Sequence, residues 1–196
     1  MDPNRKPSPD PILFFEDKKK WAGWLNKHHA TSEGLWLRLA KKSSTQKSLT
    51  YQEALESALC YGWIDGQKKG ESDDTWLQRF LPRSKKSIWS KINCQKATAL
   101  IEAGKMKPAG RREIERAKAD GRWDRAYDSP STAAPTDDFV AALNASPRAK
   151  TAFASLDSRN RYAFLFRIQT AKKPETRAKR IALFIQMLEN GEKIHP

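Results

Sequence analysis

Residues 50–82 read TYQEALESALCYGWIDGQKKGESDDTWLQRFLP, and the reading of this stretch decides the fold class. Thr50 followed by Glu53 is a capping box, in which a hydroxyl and a carboxylate satisfy backbone N–H groups that a helix start leaves open. Ala54, Leu55, Ala58 and Leu59 then recur at helical spacing, so a helix with one apolar face is expected to end near Tyr61 and Gly62. Trp63, Ile64 and Asp65 form a short strand and Gly70 to Asp74 a polar turn. Trp76, Gln78 and Phe80 alternate along a returning strand that stops at Pro82. A capped helix feeding a strand pair points to an α+β fold with a small antiparallel sheet flanked by helices.

Working outward, Trp21, Trp24, Leu25 and His28 fall at helical spacing after Asp17, and Gly34 opens the alternating run Leu35, Leu37, Leu39 of another strand. Residues 1–11 hold four prolines among polar spacers, which predicts a flexible N-terminal arm. On the other side, Ser87 is placed to cap a helix carrying Trp89, Ile92, Ala99 and Leu100 with Gly104 as its stop, and Arg111 to Asp120 gives a helix closed by Gly121. The α+β domain is therefore expected over 12–128, a linker rich in Ser, Pro and Ala over 129–136, and an all-helical C-terminal subdomain over 137–196. Its helices are read at Asp137 to Ala145, Pro147 to Leu156, Arg159 to Ala171 and Glu175 to Asn190, with Pro147 and Pro174 at favoured first-turn positions. A subdomain of ~60 residues buries little surface on its own, so apolar faces such as Ile181, Ile185 and Leu188 are expected to pack partly on the first domain.

The 196 residues are 38% hydrophobic and 31% charged, a soluble pattern, and no run approaches the ~18 apolar residues of a membrane helix. Proline and charge interrupt the amino terminus before a secretory apolar region forms. With only Cys60 and Cys94 as cysteines, a reducing cytoplasm is the expected location. His28, His29 and His195 offer no ligand spacing, and neither CxxC nor HExxH occurs, so no metal and no cofactor are expected. Glycine-rich phosphate loops and the GxSxG elbow are absent too. Cys60 sits on an apolar helix end with no histidine placed to activate it.

The charge balance is the strongest functional lead. Lys and Arg number 37 against 23 Asp and Glu, a net +14, which calls for an anionic partner, a small ligand or a nucleic acid. Residues 79–101 hold no carboxylate, yet Arg79, Arg83, Lys85, Lys86, Lys91 and Lys96 alternate there with Phe80 and Trp89. A helix start near Ser87 to Ser90 would add free N–H groups and the dipole to that cationic stretch. Ser90 and Asn93 would share a helix face beside Arg83. Asp65 stands between Gly62 and Gly66, placed to pair with Arg79 or Arg83 across the hairpin or to face a pocket. Trp63 and Trp89 lie on apolar faces, whereas Trp76 and Trp123 are the rings expected to stay partly exposed beside a ligand. The candidate ligand site is thus Trp63, Asp65, Arg79, Arg83, Trp89, Ser90, Asn93 and Trp123. Lys85, Lys86, Lys91 and Lys96 would serve a nucleic-acid alternative.

ALCYGWIDGQKKG from Ala58, RFLPRSKKSIWSKIN from Arg79, GKMKPAG from Gly104, AKADGRWDRAY from Ala117 and ETRAKRI from Glu175 together resemble the bacteriocin-protection, YdeI/OmpD-associated family, in order, from about Phe14 to Gly191. The resemblance implies a role in protection against antimicrobial peptides, and its name carries a porin association. It supplies no catalytic residues. The reading is a protection-type protein, without a defined molecular activity, that binds an anionic ligand in a basic, aromatic-lined pocket. The alternatives are a nucleic-acid-binding module and an enzyme on a small anionic substrate, with Asp65 as acid or base and Arg83 and Asn93 orienting the substrate. A protein of net charge +14 would repel cationic peptides, which disfavours protection by sequestering them. No sequence pattern fixes an oligomeric state.

Overall fold

Thr50 Oγ1 accepts the Glu53 N–H at 3.2 Å while Glu53 Oε2 accepts the Thr50 N–H at 2.8 Å, so the capping box closes and starts α2 (Tyr51–Cys60) where the sequence places it. In the computed structural model, residues 10–196 are described; positions 1–9 of the expected arm lie outside them. Before α2 come β1 (Ile12–Phe14), α1 (Lys18–His28) and β2 (Leu35–Ala40), and after it β3 (Trp63–Gly70), β4 (Thr75–Pro82), α3 (Lys91–Glu102) and α4 (Pro108–Ala119). Then follow α5 (Asp137–Ala145), α6 (Pro147–Ser155), α7 (Ser158–Gln169) and α8 (Pro174–Glu189). The fold is α+β with an all-helical C-terminal region. The described residues form two compact units, one of residues 10–87 and 93–123, the other of 88–92 and 124–196.

In the first unit the strand order is β1-β2-β4-β3. The β2-β4 and β4-β3 pairs are antiparallel, as the alternation predicts. β1 pairs with β2 in parallel, so the sheet is mixed rather than wholly antiparallel. A three-residue strand is too short to display a period, which is why the pattern does not reveal it. Leu35, Leu37 and Leu39 lie opposite Phe80, Gln78 and Trp76 in the β2-β4 register, so these six share one face of the sheet. Trp21 of α1 is fully buried. Its ring centroid lies 5.8 Å from Phe80 and 5.5 Å from Trp24, and its indole N–H donates to Ala54 O at 3.1 Å. Removing such rings from water contributes roughly 1.5–3 kcal/mol each.

Two glycines let α4 approach the end of α2. Gly62 adopts φ +76°, which terminates α2 in the left-handed conformation glycine tolerates. A Cβ there would lie 2.8 Å from Glu113 Cγ. From the other side, Gly110 sits against the Leu59 and Cys60 carbonyls, and the Lys107 N–H donates to Cys60 O at 3.2 Å.

The helix expected from Ser87 starts later. The Ser87 N–H donates to Ser84 O at 3.1 Å and the Ser84 N–H to Ser87 Oγ at 2.9 Å, so Ser87 closes a local turn instead of capping α3. Ser90 pairs with Tyr127 in an isolated parallel bridge, and α3 begins at Lys91.

The second unit buries Phe139, Phe153, Phe164 and Phe184. Phe139 meets Phe153 edge-on at 5.3 Å, and Phe164 meets Phe184 edge-on at 4.9 Å, the arrangement ring quadrupoles favour. Ile181 and Leu188 belong to this core and Ile185 packs on it, so these faces find their partners within the unit. Arg177 ties α8 to the start of α5. Its Nη2 donates to Asp138 Oδ1 at 2.7 Å and to Thr136 Oγ1 at 2.6 Å, and its Nη1 to Ile168 O at 3.1 Å. This guanidinium holds the Asp138 carboxyl well below the usual carboxylate range.

Candidate functional site

The β3-β4 register slips after Asp65. Asp65 pairs with Phe80 and Lys68 with Gln78, so Gly66 and Gln67 together face Arg79. Two residues opposite one make a β-bulge, which reverses the side-chain alternation beyond it. Three positions apart on a regular strand, Asp65 and Lys68 would point to opposite faces; the bulge puts both on the face of Gln78 and Trp76. Gln78 locks this arrangement. Its buried side chain donates from Nε2 to Gly66 O at 3.0 Å and Gln67 O at 3.1 Å, satisfying carbonyls the bulge removes from the ladder. Gln78→Leu, which keeps much of the volume and deletes the donor, is expected to destabilise the protein by ~1–3 kcal/mol. Urea unfolding measures this, and an unchanged midpoint would remove the role assigned to Gln78.

Lys68 Nζ lies 4.4 Å over the Trp76 ring, within cation–π range. The Tyr51 ring centroid is 6.1 Å from Trp76, and Tyr51 Oη donates to Asp65 Oδ2 at 2.7 Å. Tyr51, Lys68 and Trp76 line one part of a cleft of about 930 Å³. The segment between β2 and α2 lines another, with Lys41, Lys42 and Lys47. That segment is anchored at both ends. The Lys41 N–H donates to Asp74 O at 2.8 Å, the Leu49 N–H to Phe15 O at 3.3 Å, and the Ala40 N–H to Ser48 Oγ at 2.9 Å.

The cleft's carboxylates are already engaged. Glu16 pairs with Lys20, Asp17 Oδ1 accepts the Lys20 N–H at 2.8 Å as the α1 cap, and Glu53 belongs to the capping box. Two of its lysines are engaged as well, Lys18 with Glu56 at 3.1 Å and Lys41 with Ser72 O at 2.7 Å. Lys42 and Lys47 have no hydrogen-bond or ion-pair partner among the described residues, and Lys68 rests on the Trp76 ring. The arrangement offers three ammonium groups and two aromatic rings to an anion.

The residues singled out in the sequence are distributed otherwise. Trp63 is core, 1% exposed, with its indole N–H on His29 O at 3.1 Å. Arg79 pairs with Asp10 at 2.6 Å, because its register puts it on the face opposite Asp65; the cross-hairpin pair does not form, and Asp65 takes Tyr51 instead. Arg83 is buried, with its N–H on Gly62 O at 3.0 Å. Asn93 and Trp123 are half-buried in the first unit, with Lys118 Nζ 5.4 Å over the Trp123 ring. Trp89 and Ser90 belong to the second unit. Ser90 precedes α3, so it shares no helix face with Asn93, and at the observed helix start the Lys91 N–H donates to Tyr127 O at 2.8 Å. Of the nucleic-acid candidates, Lys85 and Lys86 are exposed, Lys96 is half-buried and Lys91 pairs with Asp128 at 2.7 Å. Tyr51, Lys42, Lys47 and Lys68 were not singled out. The signal that points to Lys68 is Gly66 inside a strand, a bulge mark.

Burial pushes the Cys60 thiol up from its ordinary value, opposite to what a nucleophile needs. Among the described residues, no three His, Cys, Asp or Glu side chains cluster as metal ligands, and no helix is long and apolar enough to cross a membrane.

No curated protein and no solved structure matches the chain significantly. Residues 13–113, which contain the sheet and the cleft, match a family described as a domain of unknown function (DUF8412). Residues 132–191 match the family described as bacteriocin-protection, YdeI or OmpD-associated. The resemblance read from Phe14 to Gly191 thus resolves into two adjoining families, each meeting one part of the fold. The chain belongs to the DUF8412 family, and its C-terminal helices match the model of the bacteriocin-protection, YdeI or OmpD-associated family.

Proposed function

We propose that the protein has a bacteriocin-protection-type stress role and exercises it by holding an anionic ligand in the cleft of its first unit. The observation that carries this reading is the trio Lys42, Lys47 and Lys68 beside Tyr51 and Trp76, in a cleft whose carboxylates are spent on caps and ion pairs. Each charge-assisted hydrogen bond to such a ligand contributes about 1.5–3 kcal/mol, and the rings suit a ligand with a flat body. The net charge of +14 draws anions toward the protein and repels cationic peptides, so protection proceeds through the anion and not by sequestering the peptide. Two cysteines in 196 residues suit a reducing compartment, and the role is placed in the cytoplasm.

Calorimetric titration at low salt with adenosine monophosphate, and separately with inorganic phosphate, tests the site. The nucleotide is expected to bind more tightly than phosphate. Lys42→Glu with Lys47→Glu is expected to weaken it at least ~tenfold, equivalent to about 1.4 kcal/mol. Unchanged affinity in that variant, or no binding of either anion, would sink the cleft as the site. An oligonucleotide whose affinity falls with Lys85→Glu and Lys86→Glu, and not with the cleft changes, would favour the nucleic-acid reading. The enzymatic reading draws on the Tyr51 hydroxyl donating to Asp65 beside the cleft, and turnover of a bound phosphate ester lost in Asp65→Asn would support it.

A further inference from the structure

A second cleft, of about 490 Å³, lies wholly within the second unit along α7. Tyr162 and Phe166, one helical turn apart, form its floor; Arg159 and Arg167 flank them, and His195 makes a wall. Each wall is held. Tyr162 Oη donates to Asp128 O at 3.0 Å, and Asp128 is fixed by Lys91 at 2.7 Å and by Gln169 Nε2 at 2.6 Å. Phe166 meets Tyr127 edge-on at 4.9 Å. His195 is placed by Asn160, itself 1% exposed: the His195 N–H donates to Asn160 Oδ1 at 2.9 Å and Asn160 Nδ2 donates back to His195 O at 3.3 Å. The two flanking guanidinium groups, by contrast, have no hydrogen-bond or ion-pair partner among the described residues.

We propose that this groove docks a short acidic segment of a partner protein, extended, with an apolar or aromatic side chain between two carboxylates. Spacing and charge select that occupant. Arg167 lies eight positions after Arg159 in α7, a rise of about 12 Å. An extended chain advances ~3.3 Å per residue, so carboxylates at positions i and i+4 span about the same length. Positions i, i+2 and i+4 point to one side of such a chain, so the middle side chain falls on Tyr162 and Phe166 while the ends meet the guanidinium groups, the preferred partners of carboxylates. The site is independent of the anion cleft in the first unit.

The test uses the full ¹⁵N-labelled chain titrated with the terminally blocked peptides ESFSE and KSFSK at low salt. ESFSE is expected to shift amide resonances in α7 and at His195, and to bind at least ~tenfold more tightly than KSFSK. Arg159→Glu with Arg167→Glu is expected to reverse that preference while leaving the thermal unfolding midpoint in place, since both side chains are exposed. Equal binding of the two peptides, ESFSE binding unchanged by the charge reversal, no binding at millimolar peptide, or shifts centred on Lys42 and Lys47 would each overturn the proposal.

Discussion

Gly110→Ala is expected to destabilise the protein by about 3 kcal/mol or more, although alanine in place of glycine inside a helix ordinarily gains roughly 0.5–1 kcal/mol. A Cβ at Gly110 would stand 2.5 Å from Cys60 O and 2.7 Å from Leu59 O, with Met106 Sδ also in the way. Methionine can swing aside. The two carbonyls cannot, because they close the last turn of α2 and Cys60 O accepts from the Lys107 N–H at 3.2 Å. α4 would have to retreat and surrender that hydrogen bond. Gly23, in α1, has nothing within 4 Å of its missing Cβ, so Gly23→Ala is expected to gain stability in the same urea titration. A midpoint for Gly110→Ala at or above wild type would show that α4 has room to move.

Trp21→Ala is expected to cost about 3–5 kcal/mol. Trp21 joins α1 to α2 through its hydrogen bond to Ala54 O and to the sheet through Phe80. It also meets Trp63 edge-on at 6.5 Å. Deleting it opens a cavity where helices and sheet meet, and neighbours held in their own hydrogen bonds close that space poorly. Trp21→Phe retains a six-membered ring while losing the indole donor and the volume of the five-membered ring, so a smaller loss of ~1–2 kcal/mol is expected. Denaturant unfolding followed by near-ultraviolet circular dichroism separates the two variants; equal losses would show that the six-membered ring contributes nothing beyond what the indole's five-membered ring and N–H supply. Because α1 contributes Lys18 and its cap Asp17 to the first cleft, the alanine variant should also weaken anion binding there.

Much of the fold was legible because local chemistry agrees with tertiary need. Thr50 and Glu53 fix a helix start from four residues, and Leu35, Leu37 and Leu39 alternate because one face of β2 is buried. Gly62 of GWIDG and Gly110 of GKMKPAG were visible as motif residues, and their reason lies in the close approach of α2 and α4. The start of α3 was misread because serine both caps helices and closes turns; Ser87 has the right chemistry for either, and its bond to Ser84 decides. The site was less legible still. Lys42 and Lys47 lie in a segment with no periodicity, and the side of the sheet that Lys68 takes depends on an extra residue that strand alternation does not register. Asp65 was rightly placed on a strand, but its partner followed from register, which sequence alternation alone leaves open.

That extra residue in β3 has a bearing on how the protein keeps to itself. β3 is an edge strand, and an edge is an open template on which another chain's strand can assemble, the first step toward aggregates. Here an incoming strand would meet a kink at Gly66 and Gln67 and an ammonium group on either side, Lys68 over Trp76 and Lys69 4.7 Å over Trp36. Restoring a regular edge by deleting one bulge residue would remove the kink and leave Lys68 opposite Gln78, on an edge open to pairing. The irregularity that aims a lysine into the cleft also guards the sheet against fibrous growth.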